Sequence, residues 1–321
     1  MTKIIQVAVA IITKPNGEYL LASRPDGKGW AGWWEFPGGK IENNETSEQA
    51  LTRELQEELG IMPTQVQPWV KRRYDYPATH DAEARTVLLH FYFVLSWQGK
   101  PKPLEGQALA WQHPQQLNVS PVLPANAPIM HALSLPDQYA ISNAKEMGDV
   151  VFFNALQLQL QRGVKLIQVR EKEMGRETLI DFTRRVLLLA RPYGARVLIN
   201  ADVELAIEMG LDGVHLPSQN LLQLETKPNN LLVAASCHNA AELAHAQRLN
   251  LDFVTLSPVC ETSSHSDAAS LGWQTFAALV DEVTLPIYAL GGMRTSDLPQ
   301  ALVNGARGIA MQRSVWAATA I

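Results

Sequence analysis

The chain has 321 residues, 46% hydrophobic and 18% charged, with a formal net charge of −5. Such a length calls for two domains, each able to bury its own core, and such a composition excludes a disordered or fibrous chain. The acidic balance argues against a broad nucleic-acid-binding surface, the two cysteines Cys237 and Cys260 give no disulfide or zinc framework, and no stretch approaches the ~20 apolar residues that span a bilayer.

The apolar run over residues 4–12 contains Gln6 and lacks a small-residue cleavage site after it, so it reads as part of a strand over 4–13 and not as a secretory signal. A cytoplasmic protein, without a membrane or direct nucleic-acid partner, is expected. Residues 19–23 predict a second strand, and Pro15-Asn16-Gly17 between the two predicts a hairpin.

Thr46, with Gln49 three residues on, forms a capping box, and Gly60 suits a left-handed C-cap. They frame a helix of about three and a half turns. Leu51, Leu55 and Leu59 recur at i, i+4 and i+8 as its buried stripe, whereas Glu54, Glu57 and Glu58 recur at i, i+3 and i+4 on another face. Carboxylates gathered in this way repel, so the arrangement makes sense when a cation neutralises them; oxygen-only ligands favour Mg²⁺ or Mn²⁺ over zinc. A merely solvated acidic face is the bland alternative. It explains neither the Gly38-Gly39 pair ahead of the helix nor Arg53, placed to pair with the upstream Glu45.

Strands follow over 66–74 and 87–97, Lys100 to Pro103 breaks the pattern, and the proline-punctuated stretch 121–128 leads into a short apolar helix ending near Leu133. The layout fits an α+β sandwich over residues 1–133, with 134–138 as a linker. Beyond it the texture changes. Short apolar runs at 139–143, 165–170, 196–200, 213–216, 232–236, 253–257, 286–291 and 308–312 alternate with amphipathic helical segments. This β-α alternation predicts a compact (β/α)8 TIM barrel over 139–321, with functional groups at the C-terminal strand ends.

Gly39, Glu45, Arg53, Glu54, Leu55, Glu57, Glu58, Gly60 and Ile61 fit the pattern G-x5-E-x7-R-E-U-x-E-E-x-G-U, where U is a bulky aliphatic. On that box the first part resembles the MutT type of Nudix hydrolase, which converts 8-oxo-dGTP to its monophosphate and pyrophosphate. Glu35-Phe36-Pro37-Gly38-Gly39-Lys40 matches the family's strand-to-box turn, and Glu105-Gly106-Gln107 the loop bearing an outlying metal-binding glutamate. Pro124-Ala125-Asn126 matches the segment whose asparagine reads the oxidised purine. The resemblance implies metal ligation by Glu54, Glu57, Glu58, Glu105 and the Gly38 carbonyl, with Arg53 orienting the cluster through Glu45. It implies triphosphate contact by Lys40, deprotonation of the attacking water by Glu54 or Glu105, and a nucleotide pocket including Arg24, Tyr76, Arg85 and Asn126. The stretch Gly29-Trp30-Ala31-Gly32-Trp33-Trp34 is more aromatic than the family's best-known form, which bears on the preferred nucleotide.

The second part resembles thiamin phosphate synthase and the related thiazole tautomerase. The resemblance is carried by Gln168-Val169-Arg170-Glu171-Lys172, Ile199-Asn200, Gly213-Val214-His215-Leu216, Ser257-Pro258-Val259 and Ala289-Leu290-Gly291-Gly292-Met293. It implies a phosphate-binding rim of Arg170, Lys172, Asn200, Gly291, Gly292 and Ser314. Where the synthase has Mg²⁺-holding aspartates this chain has Ala201 and Asn220; the synthase lysine after the sixth strand is His265, and the tautomerase histidine is Pro258. Asp202, one register on, is the substitute available for a lost carboxylate. His215 and His238, beside apolar strands, read as structural. The barrel is expected to keep a pocket for a thiamin-related phosphate with weak or no synthase activity.

The expected function is Mg²⁺-dependent hydrolysis of oxidised purine nucleoside triphosphates, sanitising the nucleotide pool. One alternative is hydrolysis of a thiamin-related diphosphate coupled to an active barrel. Another is a barrel that senses a ligand and tunes the hydrolase.

Overall fold

Alternate residues of strand β1 (Ile5–Ile12) serve two different cores. Ala8, Ala10 and Ile12 pack with Ala50, Leu51, Leu55 and Leu59 of helix α1 (Ser47–Leu59). Val9 and Ile11 pack with Ile129, Met130 and Leu133 of helix α2 (Ala127–Ser134). The period of two along a strand therefore puts one sheet between two helices. This computed structural model describes residues 4–78, 84–261 and 270–317, and His265 lies outside them. The chain divides into the units Met1–Ser134 and Leu135–Ile321.

In the first unit β1 lies in a sheet of order β4-β1-β6-β5, formed with β4 (Gly38–Lys40), β5 (Met62–Tyr76) and β6 (Arg85–Gln98). A second sheet has the order β3-β2-β7, from β2 (Tyr19–Ser23), β3 (Trp34–Glu35) and β7 (Leu109–Gln112). The α+β sandwich is present. The predicted β1–β2 hairpin is not. Its turn closes through Gly17 N–H to the Lys14 carbonyl (2.9 Å) and a single bridge between Thr13 and Tyr19. The strands then part, because β4 and β6 already hydrogen-bond both edges of β1 and leave none for β2.

Helix α1 starts and stops where its caps dictate. The Thr46 side chain accepts from Gln49 N–H, the Gln49 side chain accepts from Thr46 N–H, and Gly60 takes φ +66° in the left-handed region.

In the second unit β8 (Gln138–Ile141), β9 (Leu166–Val169), β10 (Arg196–Asn200), β11 (Gly213–Leu216), β12 (Leu232–Cys237), β13 (Phe253–Leu256), β14 (Ile287–Leu290) and β15 (Gly308–Met311) close into a parallel barrel. Helices over 144–161, 176–190, 203–208, 218–223, 240–248, 272–281 and 298–303 separate them. Covered on both faces, the strands read as continuous apolar runs without alternation. Residues 134–138 are not a free linker. Ser134 ends α2, and Leu135, 1% exposed, packs inside the barrel with Tyr139, Leu166, Leu198, Phe253 and Tyr288. The Asp137 carbonyl accepts from Ile309 N–H (2.9 Å), and Gln138 already belongs to β8. Burying one leucine outweighs the turn character of Pro136 and Asp137. Among the described residues no helix is long and apolar enough to cross a membrane.

Candidate active site

A cavity of about 540 Å³ opens in the first unit, within the range of small-molecule sites. Its lining includes acidic residues, Glu35, Glu42, Glu54, Glu58 and Glu105, basic residues, Arg24, Lys28, Lys40 and Arg85, and the aromatic rings of Trp30 and Tyr76. Gly38 and Gly39 also face it.

The glycine turn and α1 are fitted to each other. A Cβ on Gly39 would meet the Glu54 carboxyl carbon at 2.1 Å, and one on Gly38 would meet the Ala8 carbonyl oxygen at 2.1 Å. Gly38 N–H donates to Glu58 Oε2 (3.2 Å). Burial pushes the Glu58 carboxyl up to about 8, against the lowering by that N–H and with further raising by Glu54 and Glu105. Burial also raises Glu54, opposed by Arg53 and assisted by Glu57 and Glu105.

Arg53 is the hub that orders this helix face. Its guanidinium donates to Glu45 Oε1 (2.8 Å) and Oε2 (3.2 Å), to Glu54 Oε1 (2.9 Å), to Glu57 Oε2 (3.2 Å) and to the Lys40 carbonyl (3.0 Å). Only a planar fork can serve so many acceptors from one side chain. Its pairing, with Glu45 foremost, raises the Arg53 pKa.

The structure brings most of the expected residues to one cavity, with three departures. Arg53 and Glu57 are not on its wall; Glu57 is exposed and turned to Arg53. Helical spacing puts Glu57 on the same face as Glu54 and Glu58, but only the latter two are half-buried against the glycine turn. Asn126, buried in the turn Pro124–Asn126, does not line the cavity either. Its N–H donates to the Leu123 carbonyl (2.9 Å), and Leu123 supplies the wall there.

Glu35, Lys28 and Trp30 are among the lining residues to which the sequence assigns no individual role in the site. Glu35, buried enough to raise its pKa, pairs with Arg24 Nη1 (2.6 Å). Lys28 pairs with Glu105 (2.6 Å). Trp30 stands beside Tyr76, with ring centroids 6.2 Å apart. The aromatic richness of residues 29–34 was the one signal for Trp30; nothing local marks a single lysine in a glycine-rich loop.

The donor set is all oxygen and includes carboxylates whose pKa burial raises, and a hard divalent cation would relieve their mutual repulsion. The residues fit such an ion. Among the described residues no three His, Cys, Asp or Glu side chains are already gathered to hold one. The carboxylates instead take Arg53, Lys28 and the Gly38 N–H.

In the barrel, Arg170 follows β9, Asn200 ends β10, Gly291 and Gly292 follow β14, and Ser314 follows β15, so all lie at the C-terminal strand ends. Lys172 is exposed, and neighbouring Arg170 lowers its pKa. Gly291 and Gly292 take φ +104° and +68°, and a Cβ on either would strike the 258–261 loop. The Ser314 hydroxyl donates to the Met293 carbonyl (2.6 Å). Ala201 holds φ +68°, a conformation better suited to Asp or Asn. Asp202 does not replace the missing carboxylate: it caps the next helix at Leu205 N–H (2.8 Å) and pairs with Arg176 (2.9 Å).

His215 is buried, with a hydrogen-bond partner at each ring nitrogen. The Tyr139 hydroxyl accepts from Gln168 Nε2 (2.9 Å) and shares a hydrogen bond with His215 Nδ1 (3.1 Å), while His215 Nε2 shares one with Ser236 Oγ (2.9 Å). His238 Nδ1 lies 2.9 Å from the Ser257 carbonyl. Gln168 Oε1 stays buried without a partner among the described residues.

An acidic helix seated on a glycine turn, in an α+β sandwich, defines a hydrolase of phosphoric anhydrides, here joined to a (β/α)8 barrel. Residues 3–133 match the NUDIX domain and residues 138–315 match thiamine monophosphate synthase. The first part is 40% identical over 131 residues to the 8-oxo-dGTP diphosphatase of Escherichia coli, covering 41% of this chain and 97% of that protein. It is 41% identical over 132 residues to the CTP pyrophosphohydrolase of the same organism, covering 40% and 91%. The second part is 31% identical over 167 residues to the thiamine-phosphate synthase of Limosilactobacillus fermentum, covering 50% and 78%. The chain belongs to the Nudix hydrolases through its first unit and to the thiamine monophosphate synthase family through its second.

Proposed function

We propose that the first unit hydrolyses nucleoside triphosphates to the monophosphate and pyrophosphate with Mg²⁺, or Mn²⁺ in its place, and prefers oxidised guanine nucleotides. The observation that carries this reading is the Glu54 carboxylate held between Gly39 and Arg53 on the wall of a cavity that also presents Lys40, Arg24 and two aromatic rings.

In this reading Glu54, Glu58, Glu105 and the Gly38 carbonyl hold the cation, with Glu57 joining from the rim. When bound, Mg²⁺ supplies electrostatic stabilisation of the phosphate oxygens and acidifies water. Lys40 faces the triphosphate. Glu54 or Glu105 takes the proton of the water that attacks the β-phosphorus, the bond from that phosphorus to the α–β bridging oxygen breaks, and this oxygen leaves with the nucleoside monophosphate while the β- and γ-phosphates leave together as pyrophosphate. Arg53 fixes Glu54 without touching substrate. Arg24, Tyr76 and Arg85 surround the nucleoside, and Asn126 acts through the position of Leu123.

The relatives that act on 8-oxo-dGTP and on CTP support a nucleotide substrate to nearly the same degree, at 40% and 41% identity. A purine preference therefore rests on the arginines of the wall and on the resemblance in residues 124–126, in which Asn126 itself is buried off the wall. For the barrel, the rim glycines and Arg170 support a phosphate-ligand pocket, while Ala201 and Asn220 argue against Mg²⁺-dependent synthesis, because neutral side chains repay the dehydration of Mg²⁺ poorly.

Turnover by the intact protein on 8-oxo-dGTP, dGTP, CTP and thiamin diphosphate, with and without Mg²⁺, tests the reading. Mg²⁺-dependent release of pyrophosphate, fastest with 8-oxo-dGTP and lost in Glu54→Gln, is expected. Preferential cleavage of thiamin diphosphate, or robust thiamin phosphate synthesis, would overturn it in favour of a coupled thiamin activity.

A further inference from the structure

Trp30 sits in a backbone conformation that its residue type disfavours. Its φ is +64°, and among the described non-glycine residues with positive φ the others are asparagines and one alanine. A bulky aromatic residue has the least reason to occupy this region. Glycine was locally available to the chain, since Gly29 precedes Trp30 and Gly32, at φ +77°, follows it. Retention of an indole here calls for a role for the side chain.

The loop that carries Trp30 is braced from one end. Arg24 N–H donates to the Trp33 carbonyl (2.8 Å), Gly32 N–H donates to the Arg24 carbonyl (2.9 Å), and Arg24 Nε donates to the Gly29 carbonyl (2.6 Å). The same guanidinium is tied to Glu35 (2.6 Å). The Trp33 ring then meets Trp30 edge-on, with centroids 4.7 Å apart at 82°. The indole of Trp30 is thereby held on the cavity wall beside Tyr76, whose ring in turn lies under the Arg85 guanidinium at 5.2 Å.

Resting on the nucleotide reading above, we infer that Trp30 is a specificity-determining platform on which the nucleobase stacks, so that the cavity selects for an aromatic base by its face. The cavity wall is otherwise rich in charge, and a half-buried indole on it offers a planar ring what the carboxylates and cations cannot. Stacking is indifferent to the hydrogen-bonding edge, since every base has a π-face. The substrate class is therefore nucleoside triphosphates of both purine and pyrimidine type, with phosphate chains that lack a base discriminated against. Edge contacts such as those of Arg24 then bias the choice among bases.

The test uses the full chain with Trp30→Gly and Trp30→Phe. Glycine suits the local backbone, so the melting temperature of Trp30→Gly should equal or exceed that of the wild type. KM for 8-oxo-dGTP and for CTP should both rise roughly tenfold, with kcat within about twofold, as expected for loss of one stacking contact. Trp30→Phe should recover most of the loss. The inhibition constant of inorganic tripolyphosphate, the base-free probe, should be unchanged. Unchanged KM, a rise confined to one base type, weaker tripolyphosphate inhibition or a lowered melting temperature would each overturn the inference and make Trp30 an edge-reading or packing residue. A wild-type enzyme that cleaves no nucleoside triphosphate would instead refute the underlying nucleotide reading.

Discussion

The Glu54 carboxylate occupies the space that a side chain on Gly39 would need, 2.1 Å from where its Cβ would stand. The obstructing group is the free end of a flexible side chain, so alanine at Gly39 displaces it without disturbing the backbone. Gly39→Ala should therefore melt within about 2 °C of wild type. Its kcat should fall roughly 100-fold, the usual effect of moving a catalytic group by about 1 Å. Gly38→Ala is the contrasting case: φ is +143° and the obstruction is the Ala8 backbone carbonyl. That variant should lose about 2 kcal/mol or more of stability. Calorimetry alongside pyrophosphate release separates the two, and equal melting temperatures would refute the contrast.

Arg53 acts on the carboxylates through geometry more than through charge. Lysine keeps the charge but not the fork that reaches Glu45, Glu54, Glu57 and the Lys40 carbonyl together. Arg53→Lys should lower activity and Mn²⁺ affinity by about 10–100-fold, the range for residues that orient metal ligands. Titration calorimetry with Mn²⁺ measures this without turnover. Wild-type affinity in the lysine variant would mean that the fork is dispensable.

Lys28 neutralises Glu105 in a pair whose two side chains are both exposed by more than a third. Exposed pairs of this kind are worth about 0.2–1 kcal/mol. Lys28→Met should thus tighten Mn²⁺ binding by at most about fivefold, because Glu105 no longer has a competing partner. Weaker binding in this variant would show that Lys28 positions Glu105 for the cation.

Burial, reinforced by Arg170, lowers the His215 pKa from the ordinary 6.5 to about 3. Between those values the unfolded chain binds a proton that the folded barrel refuses. Stability is then fully present above pH 6.5 and falls as pH drops toward 3, by about 1.4 kcal/mol per pH unit from this group. The melting temperature of the second unit should decline from pH 6.5 to pH 5, and His215→Gln should flatten the decline. A variant with the wild-type slope would assign it to other groups.

The parts of this molecule that the sequence announces are those whose causes are local. The capping box of Thr46 and Gln49, the leucine stripe and Gly60 define α1 within one helix length, and short apolar runs alternating with helical segments define the barrel. Non-local competition decided what was missed. Pro15-Asn16-Gly17 makes its turn, yet the pairing of β1 is settled by residues 38–40 and 85–98. Helical periodicity gives the face of Glu57 and Glu58, but their different burial depends on where the Gly38-Gly39 turn lands. The site inherits the same division: the helix glutamates, Arg53 and Glu105 are visible as a pattern, whereas the pairings Lys28–Glu105 and Arg24–Glu35 are ones that no spacing reveals.

Leu135 imposes a rule on anyone dividing this chain in two. It corks the barrel at the end opposite the C-terminal strand ends, where it meets Tyr288 and Phe253. A fragment trimmed to Tyr139 would open that end to water, so an excised second unit must begin no later than this leucine.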